Sequence, residues 1–101
     1  MKEYNQIQET KELLIDIEHV LCSKLRPTFL TLNILEETTI QVLICCTAYN
    51  RMSIQERISS FFKLLSYYLS DKIDGKSIVV TALNSEEMEK YLDNVFEKEL
   101  Y

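Results

Sequence analysis

Residues 53 to 69 read Ser-Ile-Gln-Glu-Arg-Ile-Ser-Ser-Phe-Phe-Lys-Leu-Leu-Ser-Tyr-Tyr-Leu, and no other stretch restricts the fold as much. Ile54, Ile58, Phe61, Leu65 and Tyr68 recur at spacings of four and three, which on a helix makes one stripe. Ser53 and Glu56 fit a reciprocal capping box, in which each side chain satisfies a free backbone N–H of the first turn. The helix therefore starts after Ser53. Phe62, Leu69 and Ile73 widen the stripe on one flank, whereas Leu64 and Tyr67 fall on a second face that a single sheet would leave open. Leu64 and Tyr67 are either buried by the rest of the domain or turned toward a partner chain.

The surrounding segments supply that sheet. Residues 3 to 24 have an amphipathic helical pattern, with Ile7, Leu14, Ile17, Leu21 and Leu25 on one side and Glu9, Glu12, Asp16 and Glu18 mostly on the other. Arg26-Pro27 ends it, because a residue before proline is pushed out of the helical region. From Thr28 to Leu35 the period changes to two, with Leu30, Leu32 and Ile34 on one face, and a second alternating run sets Ile40, Val42, Ile44, Cys46 and Ala48 against Gln41, Leu43, Cys45 and Thr47. Glu36-Glu37-Thr38 is the polar turn between them. Asp74-Gly75 closes the central helix, which runs to about Ser70 with room for one break. A third strand, Ser77 to Leu83, follows and is expected to lie parallel to a neighbour through a right-handed crossover. Asn84 or Ser85 caps a last helix with Glu86 and Glu87 in its first turn and Met88, Leu92, Val95 and Phe96 on its apolar side. The order is α-β-β-α-β-α, an α+β fold with a three-stranded mixed sheet and helices packed on one face, read as a single domain over 1–101.

Composition narrows the function. The net charge is −5, with two basic against five acidic residues in 1–23, seven against five in 24–76 and two against six in 77–101. Such a chain is a poor non-specific ligand for nucleic acid. Arg51, Arg57, Lys72 and Lys76 come from the basic middle third and are placed to gather near one edge, as a phosphate or partner patch or as ordinary solvated charge. Three cysteines, an odd count, suit a reducing interior, and the polar first residues lack the apolar core of a leader. The uncharged run from Thr38 to Asn50 falls short of the roughly 20 residues a bilayer span takes. A soluble protein of the cytosol or an organelle matrix is expected, with no membrane partner.

Chemistry is sparse. His19 and Cys22 stand three apart on a helix and could form half of a metal site, but Cys45 and Cys46 cannot complete it together, since neighbours on a strand point to opposite faces. A single histidine leaves no nucleophile and base pair. One glycine leaves no phosphate-cradling loop. Glu36-Glu37 and Glu86-Glu87 read as a turn and a helix start instead of catalytic carboxylates. No catalytic residue is assigned, and the chain reads as a non-enzyme.

Laid out in this way, Leu25 to about Met88 resembles the BolA family of small single domains. Leu25-Arg26-Pro27-Thr28-Phe29-Leu30 resembles the approach to that family's first strand, and Tyr49-Asn50-Arg51-Met52-Ser53 its aromatic-led turn before the long helix. Arg57 falls at the arginine of the family's Arg-His pair, and Ile78 to Glu87 resembles its last strand running into a Thr-Pro-x-Glu helix start. The resemblance implies the BolA, or class II KH-like, fold and a partnership with a monothiol glutaredoxin in holding or delivering iron–sulfur clusters. It also shows departures. Ile58 replaces the histidine of the Arg-His pair, Gly75 or Lys76 the histidine that begins the last strand, and Glu36-Glu37-Thr38 has no cysteine or histidine. The Gly-x-x-Gly loop of KH domains is missing as well. The expectation is a non-enzymatic adaptor that binds a protein through Arg57, Leu64, Tyr67 and Lys76. No cofactor of its own is expected, a shared iron–sulfur cluster being the only one the resemblance admits. Two other readings stand beside it: a homodimeric structural or chaperone-like module using Leu64, Tyr67 and Tyr68, and a nucleic-acid-binding regulator using Arg51, Arg57 and Lys76.

Overall fold

The reciprocal cap is formed. Glu56 N–H donates to Ser53 Oγ at 3.2 Å and Ser53 N–H to Glu56 Oε1 at 3.0 Å. The computed structural model describes residues 2–100, with side chains over 7–95. Along them run α1 (Lys2–Lys24), β1 (Phe29–Glu36), β2 (Thr39–Cys45), a 3-10 turn (Thr47–Arg51), α2 (Ile54–Ile73), β3 (Ser77–Leu83) and α3 (Ser85–Leu100). The expected apolar role of Phe96 lies outside the described side chains. α2 breaks once, at Leu69, where φ is −133° and ψ 24°. α1 ends as Pro27 requires: Arg26 turns to a φ of 47°, a left-handed conformation that costs a non-glycine residue about 1 kcal/mol.

β1 and β2 form an antiparallel hairpin from Phe29↔Cys45 to Ile34↔Ile40. A bulge between Ile34 and Glu36 displaces Leu35, so that Glu37 and Thr38 make the turn. Thr10 of α1 donates its hydroxyl to the Glu37 carbonyl and ties the first helix to that turn. β3 lies parallel to β2, from Thr39↔Ser77 to Cys45↔Leu83, giving the order β1-β2-β3 with α2 as the crossover. Gly75 supplies the positive φ (77°) of the turn into β3.

Ile40, Val42, Ile44 and Ala82 share one sheet face and are buried against Leu13, Ile17 and Leu21 of α1 and Phe61 and Leu65 of α2. The period-two reading of the strands placed these residues inward. On the helices the buried rows differ from expectation. α1 buries Thr10, Leu13, Ile17, Val20 and Leu21, while Ile7, Leu14 and Leu25 are half-buried. α2 buries Arg57, Phe61, Leu65 and Leu69, one residue every four, and leaves Ile54 57% and Tyr68 44% exposed. A helix crossing at an angle touches its neighbours along an i±4 row, so the two ends of a straight stripe leave the contact.

Tyr49, in the 3-10 turn, is 1% exposed, and its hydroxyl has no hydrogen-bond partner among the described residues. Desolvation, helped by Cys46, pushes its pKa up to about 12. A buried hydroxyl without a partner costs stability. Tyr49→Phe is therefore expected to raise the unfolding free energy by about 1 kcal/mol, read as a higher urea midpoint at unchanged slope.

Candidate interaction surface

Arg57 occupies a buried position on α2 because the chain surrounds it with acceptors. Its Nε donates to the Met52 carbonyl at 3.1 Å, and its Nη1 donates to the Ala82 carbonyl at 3.2 Å and to Glu87 Oε1 at 2.5 Å. With only 4% of its surface exposed, Arg57 is spent inside the fold. It joins the 3-10 turn, the end of β3 and the start of α3, and so offers no surface of its own to a partner. Glu87 also accepts from Asn84 N–H at 2.9 Å, while its own N–H donates to Asn84 Oδ1 at 2.8 Å. Asn84 is thus the cap of α3, and Asn50 Oδ1 accepts from Ser85 N–H at 2.8 Å to fasten the same junction.

The Asn84 N–H, and after it the Arg57 guanidinium, hold the Glu87 carboxyl below its ordinary value of 4.5; Ser53 does the same for Glu56. A carboxylate with a lowered folded pKa stabilises the fold fully above its unfolded pKa and loses that contribution as pH falls through the folded value. The protein should therefore lose stability below about pH 4.5. Glu87→Gln should narrow the gap between urea midpoints measured at neutral and acid pH.

At the opposite end of β3, Lys76 lies beside the hairpin turn, joined to it through the Ser77 N–H, which donates to the Thr38 carbonyl at 2.9 Å. Its ammonium, on a side chain only 9% exposed, pairs with Glu9 at 3.3 Å, and Lys72 pairs with Asp16 at 2.7 Å. These pairs rim a cleft of about 240 Å³ whose walls carry five carboxylates, Glu9, Glu12, Asp16, Asp71 and Asp74, against the two lysines. The four basic residues do not gather. Lys76 and the Ala82 carbonyl held by Arg57 are six residues apart along β3, roughly 20 Å, and Lys72 and Lys76 are already paired with acids. The nucleic-acid reading loses its patch for this reason.

Of the remaining expected contact residues, Leu64 and Tyr67 of α2, the second lies on the outer side of the helix. Tyr67 is 80% exposed and meets the Tyr68 ring edge-on, with centroids 4.7 Å apart. Lys24 Nζ sits 5.1 Å from the centre of the Tyr68 ring, so the end of α1 engages that tyrosine, while Tyr67 stays exposed beside it. Leu64 is half-buried against the core. Of the four residues expected to bind a partner, Tyr67 alone is strongly exposed. The sequence placed Glu9 on the polar side of α1 and Glu87 in the first turn of α3, but not their pairing with Lys76 and Arg57. Asn84 and Glu87 stand at capping-box spacing, a usable signal, whereas Glu9 lies 67 residues from Lys76 and gives none.

Three solved structures share this arrangement of elements. BolA1 from Arabidopsis thaliana superposes with a TM-score of 0.63 at 18% identity, over 73% of this chain and 93% of that one. A BolA-like protein from Babesia bovis gives 0.66 at 16% identity, over 77% and 91%. The chain has the BolA fold. The BolA domain of SufE1 from Arabidopsis thaliana agrees, with 0.61 at 20% identity over 72% of this chain and 92% of that one. No family model and no curated protein matches the sequence.

The BolA fold brings the hairpin turn and the start of β3 together, the two places where the resemblance expects cluster ligands. Here they carry Glu37, Thr38 and Lys76, with neither thiolate nor imidazole. These residues do not fit an iron–sulfur cluster. His19 is exposed on α1, Cys45 is buried at the far end of β2, roughly 20 Å from Lys76 along the sheet, and no cluster of three metal-binding side chains occurs among the described residues.

Proposed function

We propose that this BolA-like chain is a non-enzymatic adaptor that docks a protein partner in iron–sulfur or redox handling, with a monothiol glutaredoxin as the partner class. The fold supports the class of partner. The observation that carries the contact itself is Tyr67, a large aromatic side chain held 80% exposed on a well-packed helix. Aromatic anchors of this kind supply much of the energy at protein interfaces. Lys76, paired with Glu9 on a side chain 9% exposed, leaves the contact to Tyr67, and Arg57 acts only inside the fold, by joining the 3-10 turn, β3 and α3. Any cluster in the assembly is held by the partner's ligands, since this chain brings none to the hairpin end.

The test is anaerobic mixing with a cluster-loaded monothiol glutaredoxin, read by size and visible absorption. The expected result is a complex that leaves the glutaredoxin cluster spectrum unchanged and that Tyr67→Asp weakens by about tenfold or more. Failure to form any complex would remove the proposal.

A further inference from the structure

α1 buries Leu13, Ile17, Val20 and Leu21 against the rest of the fold, and this fixes what its other side presents. Ile15, His19 and Cys22 recur there at spacings of four and three, a single row directed away from the core, and all three are exposed. Together with Glu18 they line one shallow depression. Neither His19 nor Cys22 has a hydrogen-bond or ion-pair partner among the described residues. Cβ atoms three residues apart on a helix lie about 5–6 Å from one another, a gap that a thiol and an imidazole leaning inward can close on one ion. Cys45 and Cys46 are buried, which leaves Cys22 as the exposed thiol of the chain.

We propose that His19 and Cys22 form a chelating site for one soft monovalent cation, Cu(I). The number of ligands selects the ion. A structural zinc takes four ligands and an iron–sulfur cluster four cysteines, whereas among the described residues no third metal-binding side chain joins this pair. Cu(I) favours thiolate, accepts imidazole and is satisfied by two donors. On binding, the Cys22 thiol gives up its proton to solvent, its sulfur donates one electron pair to the ion and the neutral His19 ring nitrogen donates another. One thiolate then cancels the single positive charge. The same pair would leave Zn2+ with a net positive charge and two open positions. Glu18 adds a negative charge to the depression, which favours a cation, and Ile15, 64% exposed, supplies an apolar wall beside the ion. The buried row of α1 holds the helix in place, so the two donors are brought together before the ion arrives. The site uses neither Tyr67 nor the hairpin end, and it can fail without the adaptor reading, or the adaptor reading without it.

Anaerobic titration of the reduced chain with Cu(I), in competition with a chromophoric Cu(I) chelator, tests the site, and light scattering follows the loaded protein. One ion should bind per chain, with no change of oligomeric state, and excess Zn2+ should not displace it. Cys22→Ser should abolish binding. His19→Ala should weaken it by more than the roughly tenfold that losing an outer partner of a metal site costs. A lone thiol would bind equally well with or without the imidazole, so this variant separates a chelate from a merely reactive cysteine. Both positions are exposed, and circular dichroism checks that each variant is folded. Bound Cu(I) should also raise the urea midpoint of the wild type, because the helix holds the pair together and the unfolded chain does not. A wild type that takes no Cu(I) from the chelator, a His19→Ala variant that binds as tightly as the wild type, displacement by Zn2+, or one ion shared between two chains would overturn the proposal.

Discussion

Phe61→Ala is expected to destabilise the protein by about 4 kcal/mol. Phe61 is fully buried, lies on the α2 row that faces Ile40, Val42 and Ile44, and meets Phe62 edge-on at 5.3 Å. Truncation removes the transfer free energy of the ring and leaves a cavity between a helix and a sheet, two rigid elements that cannot collapse into it. Phe61→Leu should cost less than half as much, because most of the volume stays filled. Urea unfolding checks the pair, with lower midpoints at unchanged slope. Tyr67→Asp, at an exposed position on the same helix, should shift the midpoint by no more than about 0.5 kcal/mol.

Arg57→Ala should cost about 3 kcal/mol, an unusually large effect for a charged residue. Three acceptors lose their donor at once, and the side chain that filled a buried site is gone. The loss is smaller than for a fully enclosed pair, since the Glu87 side chain is 37% exposed and can recover water. Arg57→Lys should recover little of it. One ammonium cannot reach carbonyls on the 3-10 turn and on β3 together with a carboxylate on α3, as the planar guanidinium does. The same variant should loosen the start of α3, seen as faster exchange of the Glu87 and Met88 amides, whose acceptors are the Asn84 side chain and the Asn84 carbonyl. Loss of only a few tenths of a kcal/mol would mean that the three bonds do not act together.

The elements were legible because each carries a local signal. Ser53 with Glu56 marks the start of α2, Pro27 the exit from α1, and alternation in Leu30–Ile34 and Ile40–Ile44 the two strands and their inner faces. The parallel placement of β3 followed from the helix that intervenes. Burial on the helices was read less well, since an apolar stripe does not reveal the angle at which its neighbours cross. Thus Tyr68 and Ile54 were placed inward, whereas Arg57 was placed outward. The reason for Arg57 is spread along the chain: two of its acceptors lie 25 and 30 residues away, and neither is visible from residue 57. The salt bridges at the hairpin end were hidden for the same reason. The exposed Tyr67 was legible because it falls off the stripe that the sheet can cover.

An NMR titration of the isotope-labelled chain with an unlabelled monothiol glutaredoxin tests the adaptor role most directly. Perturbed signals centred on Tyr67 and its neighbours on the outer side of α2 are the predicted result. A spectrum that does not change, or perturbations confined to Glu37, Thr38 and Lys76 at the hairpin end, would contradict it.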